Sequence, residues 1–305
     1  MKKSRNISFF TYFSWGLAFF MILILNIDLF FQLPNLTSEE VNFQDIDHQS
    51  NQNPISTSQD NPLINQNCCI VTIFDSSSIK QTISLGYSIF KSYKQNSSRN
   101  KPKLFALFKH SSIKPIEIKS IEKYFSIINI TKEEQQLVND MDPLLFWTNQ
   151  ELKTQGCFPI VGLTNSGVFN KNPTEICNHQ PFSAVSSKGD VVFFDPSLMV
   201  LDPSQNPMEM TPISTPQKLT FQKYINNRIT NWTPMSTALS VDDYNNEYLD
   251  FWLKYSSPTF VHFQNDVFVS AVNGKNQSSG SPGLYAIIKK NVEEAMKANP
   301  EINWT

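Results

Sequence analysis

Charge is scarce in this chain, and the little that it has is almost balanced. Charged residues make up 17% of the 305 residues, and the formal net charge is -2. Proteins that bind DNA or RNA need clustered lysine and arginine to neutralise phosphates. The composition therefore predicts that the chain has no nucleic-acid partner.

Cysteine is also scarce, and its spacing fits neither a zinc site nor a disulfide-rich scaffold. The four cysteines are Cys68, Cys69, Cys157 and Cys177. Cys68 and Cys69 are adjacent, so they point to opposite faces of any strand that contains both. We interpret all four as buried thiols. A disulfide between Cys157 and Cys177 is the alternative if the domain lies in an oxidising lumen.

One long apolar segment stands near the N-terminus. Ile7–Ile27 runs for 21 residues without a charge, long enough to cross a hydrocarbon core of about 30 Å. Basic residues precede it and acidic residues follow it, which predicts a cytosolic N-terminus. We expect a cytosolic tail at 1–6 and a transmembrane signal anchor at 7–31, giving a single-pass type II protein of the Golgi or endoplasmic reticulum. A cleaved signal peptide and a mitochondrial inner-membrane anchor are the alternatives.

Residues 32–67 are rich in Asn, Gln, Ser, Asp and Pro and show no apolar periodicity. Such a segment buries too little apolar surface to offset the entropy of ordering its backbone. We interpret it as a disordered stem. Sequons for N-glycosylation occur in and beyond it, which predicts a secreted or lumenal glycoprotein. They begin at Asn35, Asn96, Asn129, Asn231, Asn276 and Asn303.

From residue 68 to 305 the pattern is that of one α/β domain, in which short apolar runs alternate with helical stretches. This predicts a mainly parallel sheet flanked by helices. The expected strands are Cys69–Phe74, Leu104–Phe108, Ser126–Ile130, Phe158–Leu163, Phe182–Val185 and Val191–Leu201. Helices are expected after Ser78, over Ile113–Tyr124 and after Pro282. Ligands of such sheets bind at the carboxyl ends of strands, so Asp75–Ser78 and the residues after Leu163 mark the expected site.

Several segments, in order, resemble the glycogenin-like family 8 glycosyltransferases, which have the GT-A fold. Val161–Cys177 is similar to the family's strand, D-x-D and later N-x-D-E-L-F. Phe182–Ser204 is similar to its F-A-A-v-x-D followed by F-N-S-G-V-x-V-x-x-P-S. Phe260–Phe263, with the sequence FVHF, is similar to its V-V-H-F. The resemblance implies a nucleotide-diphospho-sugar transferase fold over most of residues 68–270.

The resemblance also assigns the nucleotide-sugar positions, and here the chain departs from the family. In the family, two D-x-D carboxylates and the His of V-H-F hold a divalent metal. Those positions are occupied by Thr164, Asn165 and Ser166, with His262 retained. The flexible Asn-Ser-Gly loop of the family falls on Asp195, Pro196 and Ser197. Because a hydroxyl pair brings no negative charge, we predict no metal site and no cofactor, with Mn²⁺ needed only if the protein is active.

A rival position for the acids exists, because Asp140-Met141-Asp142 is itself a D-x-D. It precedes Pro143 instead of ending an apolar strand, so we interpret it as a polar loop that begins a helix.

We therefore expect a membrane-anchored family 8 glycosyltransferase-like protein that is degenerate and has a noncatalytic binding or scaffolding role. A UDP-sugar or another protein is the expected partner. An active divergent transferase of a hexose is the alternative, using Lys188, Asp190, Asp195 and His262 without a metal. A structural subunit of a membrane assembly is the second alternative. An active enzyme should have a charged, open cleft, whereas a scaffold should have a cleft closed by Phe268 or Pro196.

Overall fold

The computed structural model describes most of the chain from residue 67 onward, and the fold belongs to that part. The described residues are 67–95, 101–109, 111–138, 141–187, 193–207, 221–229, 232–236, 240–242, 257–275 and 281–304. No helix within these ranges is long and apolar enough to cross a membrane. The segments predicted as tail, anchor and stem (1–6, 7–31 and 32–67) lie outside these ranges, except for residue 67.

Strands alternate with helices along the chain, as the apolar pattern predicts. The strands are β1 (Cys69–Phe74), β2 (Lys103–Phe108), β3 (Ser126–Asn129), β4 (Ile160–Leu163), β5 (Gly167–Phe169), β6 (Ser183–Ser187), β7 (Phe193–Leu201), β8 (Thr233–Met235), β9 (Ser240–Asp242) and β10 (Phe260–His262). The helices are α1 (Ile79–Gln95), α2 (Pro115–Glu122), α3 (Lys132–Val138), α4 (Leu145–Thr148), α5 (Gln150–Thr154), α6 (Phe221–Arg228), α7 (Asn265–Val272) and α8 (Pro282–Ala298). Two 3₁₀ helices span Asp142–Leu144 and Pro173–Asn178.

A seven-stranded sheet forms the centre, in the order β3-β2-β1-β4-β7-β6-β8. Strand β1 pairs in parallel with β2 and β4, and β2 with β3. Strand β7 runs antiparallel to both β4 and β6. The prediction of a mainly parallel sheet flanked by helices is confirmed. A second sheet of three short strands, in the order β5-β10-β9, was not predicted.

The sheet separates two apolar cores, and the side chains of β1 pack alternately into one and the other. Ile70 and Phe74 pack into one core together with α1, α7 and α8. Val71, between them in alternation, packs into the other core. Both faces of β1 are buried because the strand lies inside a parallel sheet with helices on each side. This is why β1 reads as a continuous apolar run in the sequence.

Both interpretations of the cysteines are wrong, although all four residues are buried as expected. Cys68 is bonded to Cys177 and Cys69 to Cys157. Adjacent residues at the start of β1 do point to opposite faces, and each therefore meets a partner in a different core. Cys157 precedes β4, the parallel neighbour of β1, while Cys177 lies in the 3₁₀ helix after β5. The segment 157–177 is thus tied at both ends to the start of β1.

Candidate functional site

The order of the strands places a crevice at the carboxyl ends of β1 and β4. From β1, the chain adds β2 and β3 on one side and β4 on the other, so the order reverses at this point. Open α/β sheets bind ligands at such a reversal. A cavity of about 460 Å³ opens there, between the loops that follow β1, β2 and β4. Its polar lining consists of Asp75, Ser77, Ser78, Lys109, Asp142, Thr164, Asn165, Asp195, Ser197 and His262.

The loop after β1 is organised around the carboxylate of Asp75. Its Oδ1 accepts hydrogen bonds from the Ser77 backbone N–H at 2.9 Å, the Ser77 hydroxyl at 2.6 Å and the Ser78 hydroxyl at 3.0 Å. Burial alone would raise the pKa of Asp75, but these hydrogen bonds and the charge of Lys109 together hold it below its usual value. Asp75 is therefore a fixed anion at neutral pH. Asp75 lies on the wall of the cavity.

The loops after β2 and α3 add an ion pair that the sequence analysis did not foresee. Lys109 directly follows β2, and its Nζ lies 2.7 Å from Asp142 Oδ2. Both side chains are partly buried. The other oxygen of this carboxylate, Asp142 Oδ1, is buried and has no hydrogen-bond partner among the described residues. The pair gives this wall one positive group.

The turn after β4, to which the sequence resemblance assigns the D-x-D position, is held by its own side chains. Asn165 Nδ2 donates to the Ile73 carbonyl at 3.0 Å, which ties the end of β4 to the end of β1. Thr164 Oγ1 accepts from the Ser166 backbone N–H at 3.3 Å. The Ser166 hydroxyl donates to Asn165 Oδ1 at 3.4 Å. The turn therefore presents no anion to the cavity, and its polar groups are used to fix its own shape.

Strands β7 and β10 complete the cavity. Asp195 Oδ1 accepts from the Ser197 backbone N–H at 2.8 Å, and the Ser197 carbonyl accepts from the Thr164 N–H at 3.1 Å. His262 ends β10, opposite Gly167 in the small sheet. The backbone N–H of Phe263 donates to the Ser166 carbonyl at 3.0 Å, which fixes β10 to the turn. Four of the five predicted site residues line the cavity: Thr164, Asn165, Asp195 and His262.

Other residues named from the sequence stand outside the cavity or outside the described part. Ser166 belongs to the turn but not to the cavity wall. Phe268 is buried and stacks on Phe263, with ring centroids 5.7 Å apart, so it does not close the cleft. Lys188, Asp190 and Asp140 lie outside the described residues.

Carboxylate and imidazole groups line the cavity, but the turn 164–166 contributes none of them. Mn²⁺ prefers carboxylate and imidazole ligands, but the turn 164–166 offers only hydroxyl and amide groups. Asp142, from the rival D-x-D, does line the same cavity as His262. Across the described residues, however, no three His, Cys, Asp or Glu side chains lie close enough together to hold a metal.

Comparisons with solved structures show the fold. The galactosyltransferase LgtC, solved with donor and acceptor sugar analogues, superimposes with a TM-score of 0.53 over 76% of this chain and 99% of that chain, at 7% identity. The bifunctional glycosyltransferase WbbM, in its apo form, gives a TM-score of 0.57 at 13% identity over 81% of this chain. The glycosyltransferase GlyE of Streptococcus pneumoniae TIGR4 gives 0.52 at 13% identity over 78% of this chain.

The similarity covers 52% of the WbbM chain and 62% of the GlyE chain, so this chain spans only part of either protein. No protein family matches the chain. No curated protein matches it in sequence. The expected GT-A glycosyltransferase fold is confirmed, from structure and not from sequence identity.

Proposed function

We propose that this protein is a membrane-anchored, glycosyltransferase-like domain that binds a sugar in its cleft and does not carry out metal-dependent sugar transfer. One observation carries the proposal. The side chains of the turn 164–166, to which the sequence resemblance assigns the D-x-D position, are neutral and hydrogen-bonded within the protein. A diphosphate leaving group needs cationic stabilisation as its charge develops, and this turn has no carboxylate to hold the cation.

The charge of the cavity supports a neutral ligand. Among the described residues that line it are three carboxylates, from Asp75, Asp142 and Asp195, and one ammonium group, from Lys109. With His262 counted as neutral, the sum is -2. An anionic nucleotide is repelled by such a wall unless a cation accompanies it, whereas a hydroxyl-rich sugar can donate hydrogen bonds to it.

The two disulfides support a lumenal location. Structural disulfides persist in oxidising compartments and are rare in the cytosol. The cysteines that form them here are all nearly inaccessible, with exposed fractions of 0 to 3%. Together with the charge-free segment 7–27, they favour a type II protein whose domain faces the lumen of the endoplasmic reticulum or Golgi.

A divergent, metal-independent transferase is the second candidate, because the cleft is open and charged. Neither Phe268 nor Pro196 closes it, and Lys109 supplies a cation that could face a diphosphate. In that case Lys109 would do part of what the metal does in the family.

Binding of UDP to the full chain in detergent, followed by calorimetry with and without Mn²⁺, separates these functions. We expect no UDP binding in either condition, and we expect methyl glycosides to bind, detected by ligand-observed NMR. UDP binding that requires Mn²⁺ would contradict the proposal. UDP binding without Mn²⁺ would favour the second candidate. If neither UDP nor any glycoside binds, the cleft has no binding role, and a structural subunit becomes the better account.

A matched pair of variants sharpens this test. Thr164→Asp combined with Ser166→Asp restores two carboxylates at the turn, and an Asp at 164 can still accept from the backbone of residue 166. We expect this variant to gain Mn²⁺-dependent UDP binding. Asn165→Ala is the control, because it loosens the turn without adding charge. A gain in the control as well would show that the response does not come from the acids.

A further inference from the structure

One glycosylation sequon lies wholly within the described residues, at the end of β3. Asn129-Ile130-Thr131 fits the N-x-T pattern. The sequon at Asn303 ends on a residue outside the described part, and those at Asn35, Asn96, Asn231 and Asn276 begin outside it. Of these six sequons, the structure therefore describes all three residues only for the one at Asn129.

The side chain of Asn129 is accessible, as the acceptor of an N-linked glycan must be. Its side chain is exposed, while the next residue, Ile130, is fully buried. Most other asparagines near the sheet are engaged: Asn165 donates to the Ile73 carbonyl, and Asn299 donates to the Tyr124 hydroxyl. Within the described part, the side chain of Asn129 makes no such bond. No packing or hydrogen-bonding role accounts for this side chain, and nothing in the described part covers it.

The position of β3 gives a modification there a physical consequence. Strand β3 is the outermost strand of the seven-stranded sheet, bonded to β2 on one side. The backbone N–H of Ile130 donates to the Phe108 carbonyl at 3.0 Å. Because successive residues of a strand direct their backbone groups to opposite sides, those of Asn129 face away from β2. An open strand edge of this kind is a template for pairing with another chain.

We infer that Asn129 carries an N-linked glycan, which covers the open edge of the sheet at β3. This inference rests on the lumenal location proposed above, but not on what the cleft binds. The donor is a lipid-linked diphospho-oligosaccharide of the secretory pathway. A bond forms between Asn129 Nδ2 and the anomeric carbon, the bond from that carbon to the diphosphate breaks, and Nδ2 loses one proton. A bulky, hydrated glycan at this point keeps a second chain from approaching the edge.

The experiment uses the full chain, expressed in cultured human cells with an added C-terminal glycosylation sequon that reports lumenal delivery. Mass spectrometry of the peptide containing Asn129, after enzymatic glycan release in heavy-oxygen water, measures occupancy. We expect most molecules to be modified in the wild type and in Thr131→Ser, and none in Asn129→Gln. Thr131→Ser is the matched control, because it keeps both the sequon and the hydroxyl that accepts from the Glu134 N–H.

Two outcomes would overturn the inference. If the C-terminal sequon is modified and Asn129 is bare, the site is not used. If both are bare, the lumenal location is wrong and the inference fails with it, whatever UDP binding shows. As a readout of edge protection, we expect Asn129→Gln to give a several-fold larger aggregated fraction in size-exclusion chromatography than Thr131→Ser. Equal aggregation would refute the protective role.

Discussion

The two walls of the cleft differ in what they carry and in how they are held. The β4 wall, which is the turn 164–166, carries no charge, and the segment that contains it is disulfide-bonded at both ends to the start of β1. The β1–β2 wall, made of Asp75–Ser78, Lys109 and Asp142, carries three of the four charged groups of the lining and is held by hydrogen bonds and one ion pair. The neutral wall thus belongs to a segment with two covalent links, whereas the loops that carry Asp75, Lys109 and Asp142 are held by hydrogen bonds and an ion pair.

The largest effect should come from breaking the covalent hold on the β4 wall. Replacing Cys69 and Cys157 together by alanine should lower the free energy of unfolding by about 2–5 kcal/mol, because the reduced chain regains the entropy of an open loop. Denaturant unfolding under non-reducing conditions measures it. The Cys68→Ala and Cys177→Ala pair should cost a similar amount. An unchanged midpoint for either pair would mean that the bonds do not hold this wall.

A packing change at β4 should have the next largest effect and should reach across the cleft. A methyl group added at Gly162 would lie 2.7 Å from the ring of Phe146, a residue that lines the cavity. Gly162→Ala should therefore cost about 1–3 kcal/mol of stability. Thermal and denaturant unfolding give the value. Gly156→Ala is a useful contrast, because it strains a backbone with φ of +66° but meets no neighbour within 4 Å.

On the β1–β2 wall, removing the carboxylate of Asp75 should cost about 1 kcal/mol, the usual value for a side chain that organises a turn at a helix start. The pKa of Asp75 is lowered in the folded protein. Its contribution is therefore complete above its ordinary pKa and is lost as the pH falls through the lowered folded value. The stability difference between wild type and Asp75→Ala should shrink below about pH 4. A difference that stays constant in acid would contradict this role.

The smallest effect should come from the ion pair. A double-mutant cycle of Lys109→Met and Asp142→Asn should give a coupling energy below about 1 kcal/mol, because both side chains are partly exposed and water screens the pair. The coupling should weaken further in high salt. If the coupling energy exceeds the stability lost in Asp75→Ala, the ion pair and not Asp75 contributes more to the stability of this wall.

The helices and strands that were predicted are those long enough to show an apolar run or an apolar periodicity in the sequence. Strand β1 was predicted with its observed bounds, because a continuous apolar run of six residues between polar ones is typical of a strand buried on both faces. Helix α2 was predicted over Ile113–Tyr124 but begins at Pro115, which takes a first-turn position of the helix. The small sheet was missed because strands of three residues are too short to show any periodicity.

The lining of the cavity was predicted where a family motif or the end of a predicted strand marked it. Asp75, Ser77 and Ser78 followed from the end of β1, and Thr164, Asn165, Asp195 and His262 followed from the resemblance. Lys109 was missed, although a lysine directly after the apolar run LFALF could have placed it at the carboxyl edge of the sheet. The cysteine pairs were missed because the bonded residues are 109 and 88 positions apart. Such pairing depends on which segments the folded sheet brings together, and spacing along the chain does not report that.

The adjacent cysteines also pose a sorting problem during biosynthesis. Four cysteines can pair in three ways, and exchanging the partners of Cys68 and Cys69 moves each bond by a single residue. The pleat of β1 distinguishes the two arrangements, because it sends one thiol to each side of the sheet. If the cysteines are oxidised before β1 has paired with β2 and β4, the pleat cannot direct each thiol to its correct partner. Correct pairing in the cell therefore requires either that the sheet forms first or that thiol exchange rearranges early, mispaired bonds.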